Sequence, residues 1–343
     1  MERKLASIQR ISKIEPIENA DAIEKVSVLG WHCVARKGEF KEGDLCVYCE
    51  IDSLLPEGNP DFEFLRTSSY IDKNNQKGFR IRTVKLRGQV SQGICFPLSI
   101  LTNIAEWGKD ELQEGLDTAH ILGITKYEPP IPVNMGGLTK GAFPSYIPKT
   151  DETRIQSVPD VLIRNKGVEC YITEKLDGCS LTAWKEDGEL NIASRGIWLK
   201  ETEENIYWIV ANKLDLKGKL PEGLVIQGEL IGEGIQGNHY GLKGHDIRWF
   251  NVYSLKDNRY LDYLEDVSVI GTIDLKFVPD LAIIKLGDMD IDELVEFSKG
   301  VSQLTNINRE GIVIRSIAEK TDVELGRLSF KVVNPDYLLK YTE

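Results

Sequence analysis

Nowhere in the 343 residues do eighteen apolar side chains follow one another, so no membrane-spanning helix is expected. The opening Met1-Glu2-Arg3-Lys4-Leu5-Ala6-Ser7 lacks the apolar core of a signal peptide and passes directly into strand-like alternation, which points to a cytoplasmic or otherwise intracellular protein. Histidine is scarce: the four present have no metal-site or triad spacing and read as structural. Six cysteines fit a reducing compartment as free thiols. Cys46-Val47-Tyr48-Cys49 is the one C-x-x-C, but it lies in an alternating, β-rich stretch. Positions i and i+3 of a strand point to opposite faces, and no second such pair follows, so a zinc site is not expected. Positive charge is also in deficit. The net charge of −12 argues against indiscriminate adhesion to nucleic acid.

Against that acidic background, one segment is basic. Between positions 66 and 87 stand Arg66, Lys73, Lys77, Arg80, Arg82, Lys85 and Arg87, opposed within the segment only by Asp72. This is either a directed phosphate-binding surface or a solvated loop and strand edge. The sequence around it reads as short strands (Leu5–Ile14, Ile23–Leu29 with Trp31–Ala35, Asp44–Ile51, Phe79–Val84, Gln89–Phe96) punctuated by Gly30, Gly38, Gly43, Pro56, Gly58 and Gly88. A short helix is expected over Asn103–Leu112. Five strands of this length make an OB-type barrel. Glu128-Pro129-Pro130-Ile131-Pro132-Val133-Asn134-Met135-Gly136-Gly137 cannot continue regular structure and reads as a linker.

Beyond it strands dominate again: Gly167–Thr173, Leu181–Trp184, Leu190–Ser194, Leu224–Ile231, Ile247–Tyr253, Ile312–Ser316 and Leu328–Val333. Helices are expected at Thr202–Leu214 and at Asp290–Lys299, the latter opened by Asp290 and Glu293 in capping-box positions. The fold class is α+β: an N-terminal OB-fold β-barrel (1–125), a linker (126–148) and a larger mixed α/β domain (149–343).

Five charged or aromatic blocks follow a sixth, Glu174-Lys175-Leu176-Asp177-Gly178. A lysine between an apolar strand and a glycine turn is a candidate covalent nucleophile, provided its surroundings release the neutral amine. Asp177 suits a metal, and Gly178 permits close backbone approach. Ser194-Arg195-Gly196 offers a guanidinium fork or a plain surface turn. Glu229, inside the apolar Val225-Ile226-Gln227-Gly228-Glu229-Leu230, needs a partner, whether metal, ribose hydroxyl or structural cation. Phe250 stands in an aromatic strand block, Glu310 at a strand entrance before Gly311, and Lys331 within Ser329-Phe330-Lys331-Val332-Val333. The literal G-x-G-x-x-G at Gly232–Gly237 precedes poor helix material and is not read as a dinucleotide-binding turn.

Taken together and in this order, Lys175, Arg195, Glu229, Phe250, Glu310 and Lys331 resemble the motif series of the covalent nucleotidyltransferase superfamily of ATP-dependent ligases and capping enzymes. A barrel before the nucleophile, with too few residues after Lys331 for another domain, is similar to the type 5 RNA ligase family, whose second domain is an ATP-grasp-like adenylation domain. Gly30-Trp31, Phe40-Lys41-Glu42-Gly43-Asp44, Ile51-Asp52-Ser53-Leu54-Leu55-Pro56 and Lys149-Thr150-Asp151-Glu152-Thr153-Arg154-Ile155-Gln156 extend the resemblance over nearly the full length. One departure is Ser329, where related ligases often carry the first lysine of K-x-K.

The resemblance implies sealing of RNA 3′-hydroxyl and 5′-phosphate ends, as in a nicked duplex, through lysyl-AMP and adenylylated RNA. It implies ATP with Mg²⁺ or Mn²⁺ as cofactors, Lys175 as nucleophile, and Lys331 on the α-phosphate. Asp177, Glu229 and Glu310 would hold the metal largely through its waters, and Phe250 would stack on adenine. Arg195 would meet ribose or the RNA 5′-phosphate, with Glu174 and Arg154 as further nucleotide contacts. Arg80, Arg82, Lys85 and Arg87 become the expected RNA-binding face. A capping-type guanylyltransferase and a non-catalytic RNA-binding protein are the alternative readings.

Overall fold

In the computed structural model, residues 3–102, 112–128 and 138–341 are described. The expected helix at Asn103–Leu112 and most of the expected linker at Glu128–Gly137 lie outside those residues. The chain divides into two compact units, one comprising Met1–Pro132, Ile155–Pro159 and Leu338–Glu343, the other Val133–Arg154 and Asp160–Tyr337. Among the described residues no helix is long and apolar enough to cross a membrane.

The first unit is a curled sheet in the strand order Ile94–Pro97, Leu45–Cys49, Ala6–Pro16, Ile23–Val28, Trp31–Arg36. A register shift between Ile11 and Lys13 bends its longest strand, which lets the sheet wrap round a core of Ile8, Ile11, Val26, Trp31, Val47, Phe62 and Phe79. Cys33, Cys46, Cys49 and Cys95 are buried in the same core, and burial pushes the Cys49 thiol up, as it does Cys46 together with its contact to Cys95. The expected strand Phe79–Val84 is two strands, Lys77–Arg80 and Thr83–Leu86. Buried Ile81 donates its N–H to Ser53 O, and the chain then leaves one sheet for a two-stranded hairpin with Gln89–Gln92. Arg87 (φ 49°) and Gly88 (φ 86°) form the tip, a two-residue turn that needs left-handed backbone at both positions.

The second unit is built on two large sheets, with a two-stranded ribbon of Thr321–Asp322 and Gly326–Arg327 beside them. A seven-stranded sheet runs Thr139–Ala142, Ile197–Leu199, Glu189–Ala193, Cys179–Glu186, Leu224–Gly232, His245–Ser254, Arg259–Tyr260. A five-stranded sheet runs Thr153–Arg154, Ser329–Val333, Gly311–Ser316, Glu169–Lys175, Asp280–Lys285. Alternation divides the strand Leu224–Gly232. Ile226 and Leu230 pack with Leu181, Trp249 and Val252 against the helices Ile206–Lys213 and Tyr263–Thr272, while Gln227 and Glu229 take the opposite parity. Truncating a fully buried anchor such as Trp249 costs on the order of 3–5 kcal/mol. The expected helix at Thr202–Leu214 starts later, at Ile206, because the Asn205 side chain accepts from the Tyr207 N–H as its cap. The Asp290/Glu293 capping box is present at the start of Ile291–Ser298. Gly232–Gly237 leads into a three-residue 3-10 turn rather than an α-helix.

Candidate active site

Lys175 is the last residue of the strand Glu169–Lys175 in the five-stranded sheet, and Cys179 is the first of the strand Cys179–Glu186 in the seven-stranded one. Leu176-Asp177-Gly178 is therefore the turn that carries the chain from one sheet to the other. A Cβ on Gly178 would lie 2.3 Å from Leu230 O, so glycine is required there by the neighbouring strand. The sequence assigned that freedom to a ligand; the close neighbour is the strand bearing Glu229.

Strand register assembles the charges. Lys175 pairs with Gly311, which brings Glu310 alongside: Lys175 Nζ donates to Glu310 Oε1 at 2.7 Å and Oε2 at 2.6 Å. Ser180 pairs with Glu229, and Val313 with Lys331, so a carboxylate enters from one sheet and a second lysine from the other. Arg154 runs parallel to Lys331 as its register partner. Gly311 is held as close as Gly178: a Cβ there would meet Val332 O at 2.3 Å.

The electrostatics follow from this crowding. Burial pushes the Glu229 carboxyl up to about 8; Lys175 opposes the shift, while Glu310 and Asp177 add to it. Burial works against the Lys175 ammonium, but the carboxylates of Glu310 and Glu229 outweigh it and hold the amine above its ordinary value. Burial, with Lys175 and Arg154 nearby, pulls Lys331 down to about 7. The two lysines are thus driven in opposite directions, a separation typical of groups given different tasks. Asp177, Glu229 and Glu310 are linked electrostatically through Lys175, on which all three carboxylates act. That donor set fits a hard divalent cation. Among the described residues no three His, Cys, Asp or Glu side chains converge to cage an ion directly.

The remaining expected residues occupy different places. Phe250 is the extra residue of a β-bulge, since Asn251 pairs with Gln227 and Trp249 with Gly228. The bulge breaks the alternation: Trp249 and Val252 both join the helix-side core, and half-buried Phe250 packs instead with Leu176, Ile231 and Leu304. The Arg315 guanidinium lies 5.4 Å from its ring centroid. Glu174, only 2 % exposed, points away from the face of Lys175, and its Oε2 accepts from the Gln303 N–H at 2.8 Å. Glu174 and Phe250 therefore both border the Gln303–Ile307 segment. Arg195 is exposed and forms an ion pair with Asp151, whose charge acts in turn on Lys331.

Three residues around Asp177 were missed by the sequence reading. Tyr337 donates its hydroxyl to Asp177 Oδ2 at 2.8 Å, the Asp177 N–H donates to Tyr240 Oη at 2.8 Å, and His239 Nε2 lies 4.0 Å from Asp177 Oδ2. His239, read from the sequence as structural, thus stands beside Asp177. Asn334-Pro335, a cap residue before proline at a helix start, was a readable signal for the helix Pro335–Tyr341 that carries Tyr337.

In the first unit the basic segment is partly neutralised from outside its own span. Arg66 pairs with Glu63 and Lys73 with Glu128, while Asp72 is occupied by the N–H groups of Asn74 and Gln76. Arg80 bonds Asp52 and lies over Tyr127, 4.3 Å from the ring centroid; Arg82 lies 5.5 Å from that of Tyr70. Lys85 and Arg87 are exposed on the hairpin, beside exposed Val84 and Leu86.

Comparison with known proteins adds an independent line. Residues 5–98 match an OB-fold domain family and residues 168–333 an RNA ligase family. Over its length the chain is similar to the RNA ligase of Naegleria gruberi. A structure of one variant of that enzyme without ligand shows 38% identity and a TM-score of 0.87, covering 99% of this chain and 98% of the other. A variant with ATP and Mn gives 38% and 0.88, covering 98% and 99%, and the enzyme with PPi gives 38% and 0.87, covering 99% of each. No curated protein matches the chain.

Proposed function

The chain belongs to the RNA ligase family, and from that premise we propose that it is an ATP-dependent RNA ligase joining 3′-hydroxyl and 5′-phosphate ends, as at a nick, through lysyl-AMP and adenylylated RNA. The observation that carries this reading is Lys175 held by Glu310 at a sheet-to-sheet turn, with Glu229 opposite and Lys331 one register step away. ATP supplies an α-phosphorus electrophile. The Lys175 Nζ lone pair forms the P–N bond as the bond to the pyrophosphate oxygen breaks. AMP then passes to the RNA 5′-phosphate, and the 3′-hydroxyl displaces AMP to leave a phosphodiester.

Lys175 rests as an ammonium, so a proton must leave Nζ before attack. The Glu310 carboxylate, hydrogen-bonded to Nζ, is the acceptor in place. Lys331 meets the α-phosphate and Arg154, its register partner, adds a second positive charge to the nucleotide phosphates, a reading supported by the pairing of the two residues. Asp177, Glu229 and Glu310 would hold Mg²⁺ or Mn²⁺, and the cation would supply neutralisation of phosphate charge. Phe250 stacks on adenine with Glu174 nearby, and Arg195 exchanges Asp151 for ribose or the RNA 5′-phosphate. A domain division of 1–125, 126–148 and 149–343 assigns RNA binding to the barrel, through Arg82, Lys85 and Arg87, with Arg80 behind them.

Incubation with α-labelled ATP or GTP and Mg²⁺ or Mn²⁺ tests this. Acid-sensitive, alkali-stable label from ATP, absent in Lys175→Ala, is the expected result. Label from GTP instead would identify a capping-type enzyme. No label from either, or undiminished label in Lys175→Ala, would sink the proposal.

A further inference from the structure

Asp177 occupies a turn, where a side chain has more freedom than on a strand, yet its carboxylate is fixed from outside the turn. Tyr337 is 3 % exposed, and its hydroxyl donates to Asp177 Oδ2 at 2.8 Å. The neighbouring contacts determine that this tyrosine is held. Asn334 Oδ1 accepts from the Asp336 N–H at 2.9 Å and so caps the start of the helix Pro335–Tyr341. The same side chain donates to Arg309 O at 3.0 Å, and the Asn334 N–H donates to Glu310 O at 2.8 Å. One short segment therefore ties the backbone at Glu310 to the side chain of Asp177. Tyr240 fixes the backbone side of the turn by accepting the Asp177 N–H, and the Tyr337 ring meets His239 edge-on at 6.2 Å.

We infer that Tyr337 is a positioning residue for Asp177: its hydroxyl fixes Oδ2 and reserves Oδ1 for the water shell of the divalent cation. Among the described residues Oδ1 has no hydrogen-bond partner in the protein. Hydrogen-bonding partners that orient metal-binding carboxylates commonly change metal affinity by about 10- to 100-fold when removed. The inference rests on the proposed role of Asp177 toward the cation and goes beyond it by naming the residue that orients it.

The test is a titration of Mn²⁺ into the full chain holding α,β-methylene-ATP, which cannot transfer AMP, read by loss of the free-Mn²⁺ electron paramagnetic resonance signal. Tyr337→Phe keeps the ring and its packing, and its melting curve checks the fold. We expect Tyr337→Phe to weaken Mn²⁺ binding by about 10-fold. Asp177→Asn should weaken it at least as much, and the double variant should bind no more weakly than Asp177→Asn alone, as two residues acting through one carboxylate require. Wild-type affinity in Tyr337→Phe, with weakened binding in Asp177→Asn, overturns the inference and leaves the role of Asp177 intact. Wild-type affinity in Asp177→Asn overturns both. Additive losses in the double variant also reject Tyr337 as acting through Asp177.

Discussion

Lys175 Nζ lies 2.7 and 2.6 Å from the two carboxylate oxygens of Glu310, and the pairing of Lys175 with Gly311 puts them there. Before any nucleotide arrives, the amine is therefore restrained as an ammonium. Glu310→Gln removes the nearest of the charges that raise Lys175, leaving burial to dominate. We expect the Lys175 amine of Glu310→Gln to react faster with acetic anhydride at pH 8, because a lowered pKa leaves more of the amine neutral. Labelling by α-labelled ATP should fall at the same time, because the proposed mechanism also uses this carboxylate toward the cation. Unchanged acylation, read by mass spectrometry of the peptide containing Lys175, would contradict this account.

Lys331 gives a pH dependence of defined sign. Its folded value near 7 lies below that of an ordinary lysine, so the free site loses this cation as pH rises through 7. An α-phosphate favours the protonated form, and binding above pH 7 must take up a proton. AMP affinity, measured calorimetrically, should fall by up to tenfold per pH unit above about 7 and level off below it. Lys331→Met should bind more weakly and lose that slope; retention of the slope would assign it to another group.

In the barrel, the structure separates residues that the sequence grouped together. Arg80 is mostly buried, bonded to Asp52 and set against two tyrosines, so Arg80→Ala should lower the melting temperature. Lys85→Ala with Arg87→Ala removes only exposed hairpin charges. RNA affinity should drop, and the log–log salt slope should shrink by about 0.9 per lost phosphate contact on duplex, or about 0.7 on single strands. Lysyl-AMP formation should stay unchanged. Equal loss in sealing and in lysyl-AMP formation would reject the division of labour.

A fourth prediction concerns stability. Buried Asp266 accepts from the Val252 N–H, and burial pushes its carboxyl up to about 8. The folded state thus binds a proton that the unfolded chain releases near pH 4, so stability declines as pH rises from about 4 to 8. Asp266→Asn should flatten that decline in denaturant melts. A curve parallel to wild type would mean that Asp266 is ionised in the fold.

The chemistry of the second unit was legible because it rests on strands. Lys175, Glu229, Phe250, Glu310 and Lys331 each stand in or beside a short apolar, β-rich run visible in the sequence, and register brings the charged members together. What could not be read was non-periodic. The bulge at Phe250 leaves no mark in the residue types of Trp249-Phe250-Asn251, although it decides which face the ring takes. The split of Phe79–Val84 was hidden for a related reason, since Ile81 continues the β-forming composition while the chain changes sheets. The partners that neutralise Arg66 and Lys73 lie outside the window in which their charges were counted. Tyr337 is 160 residues from Asp177, and a single tyrosine in a short terminal helix carries no pattern that announces such a contact.

Leu176-Asp177-Gly178 joins the two sheets, and it is clamped between Leu230 O on one side and the Tyr240 hydroxyl on the other. A turn gripped on both sides leaves Asp177 little room to shift relative to Lys175, two residues before it.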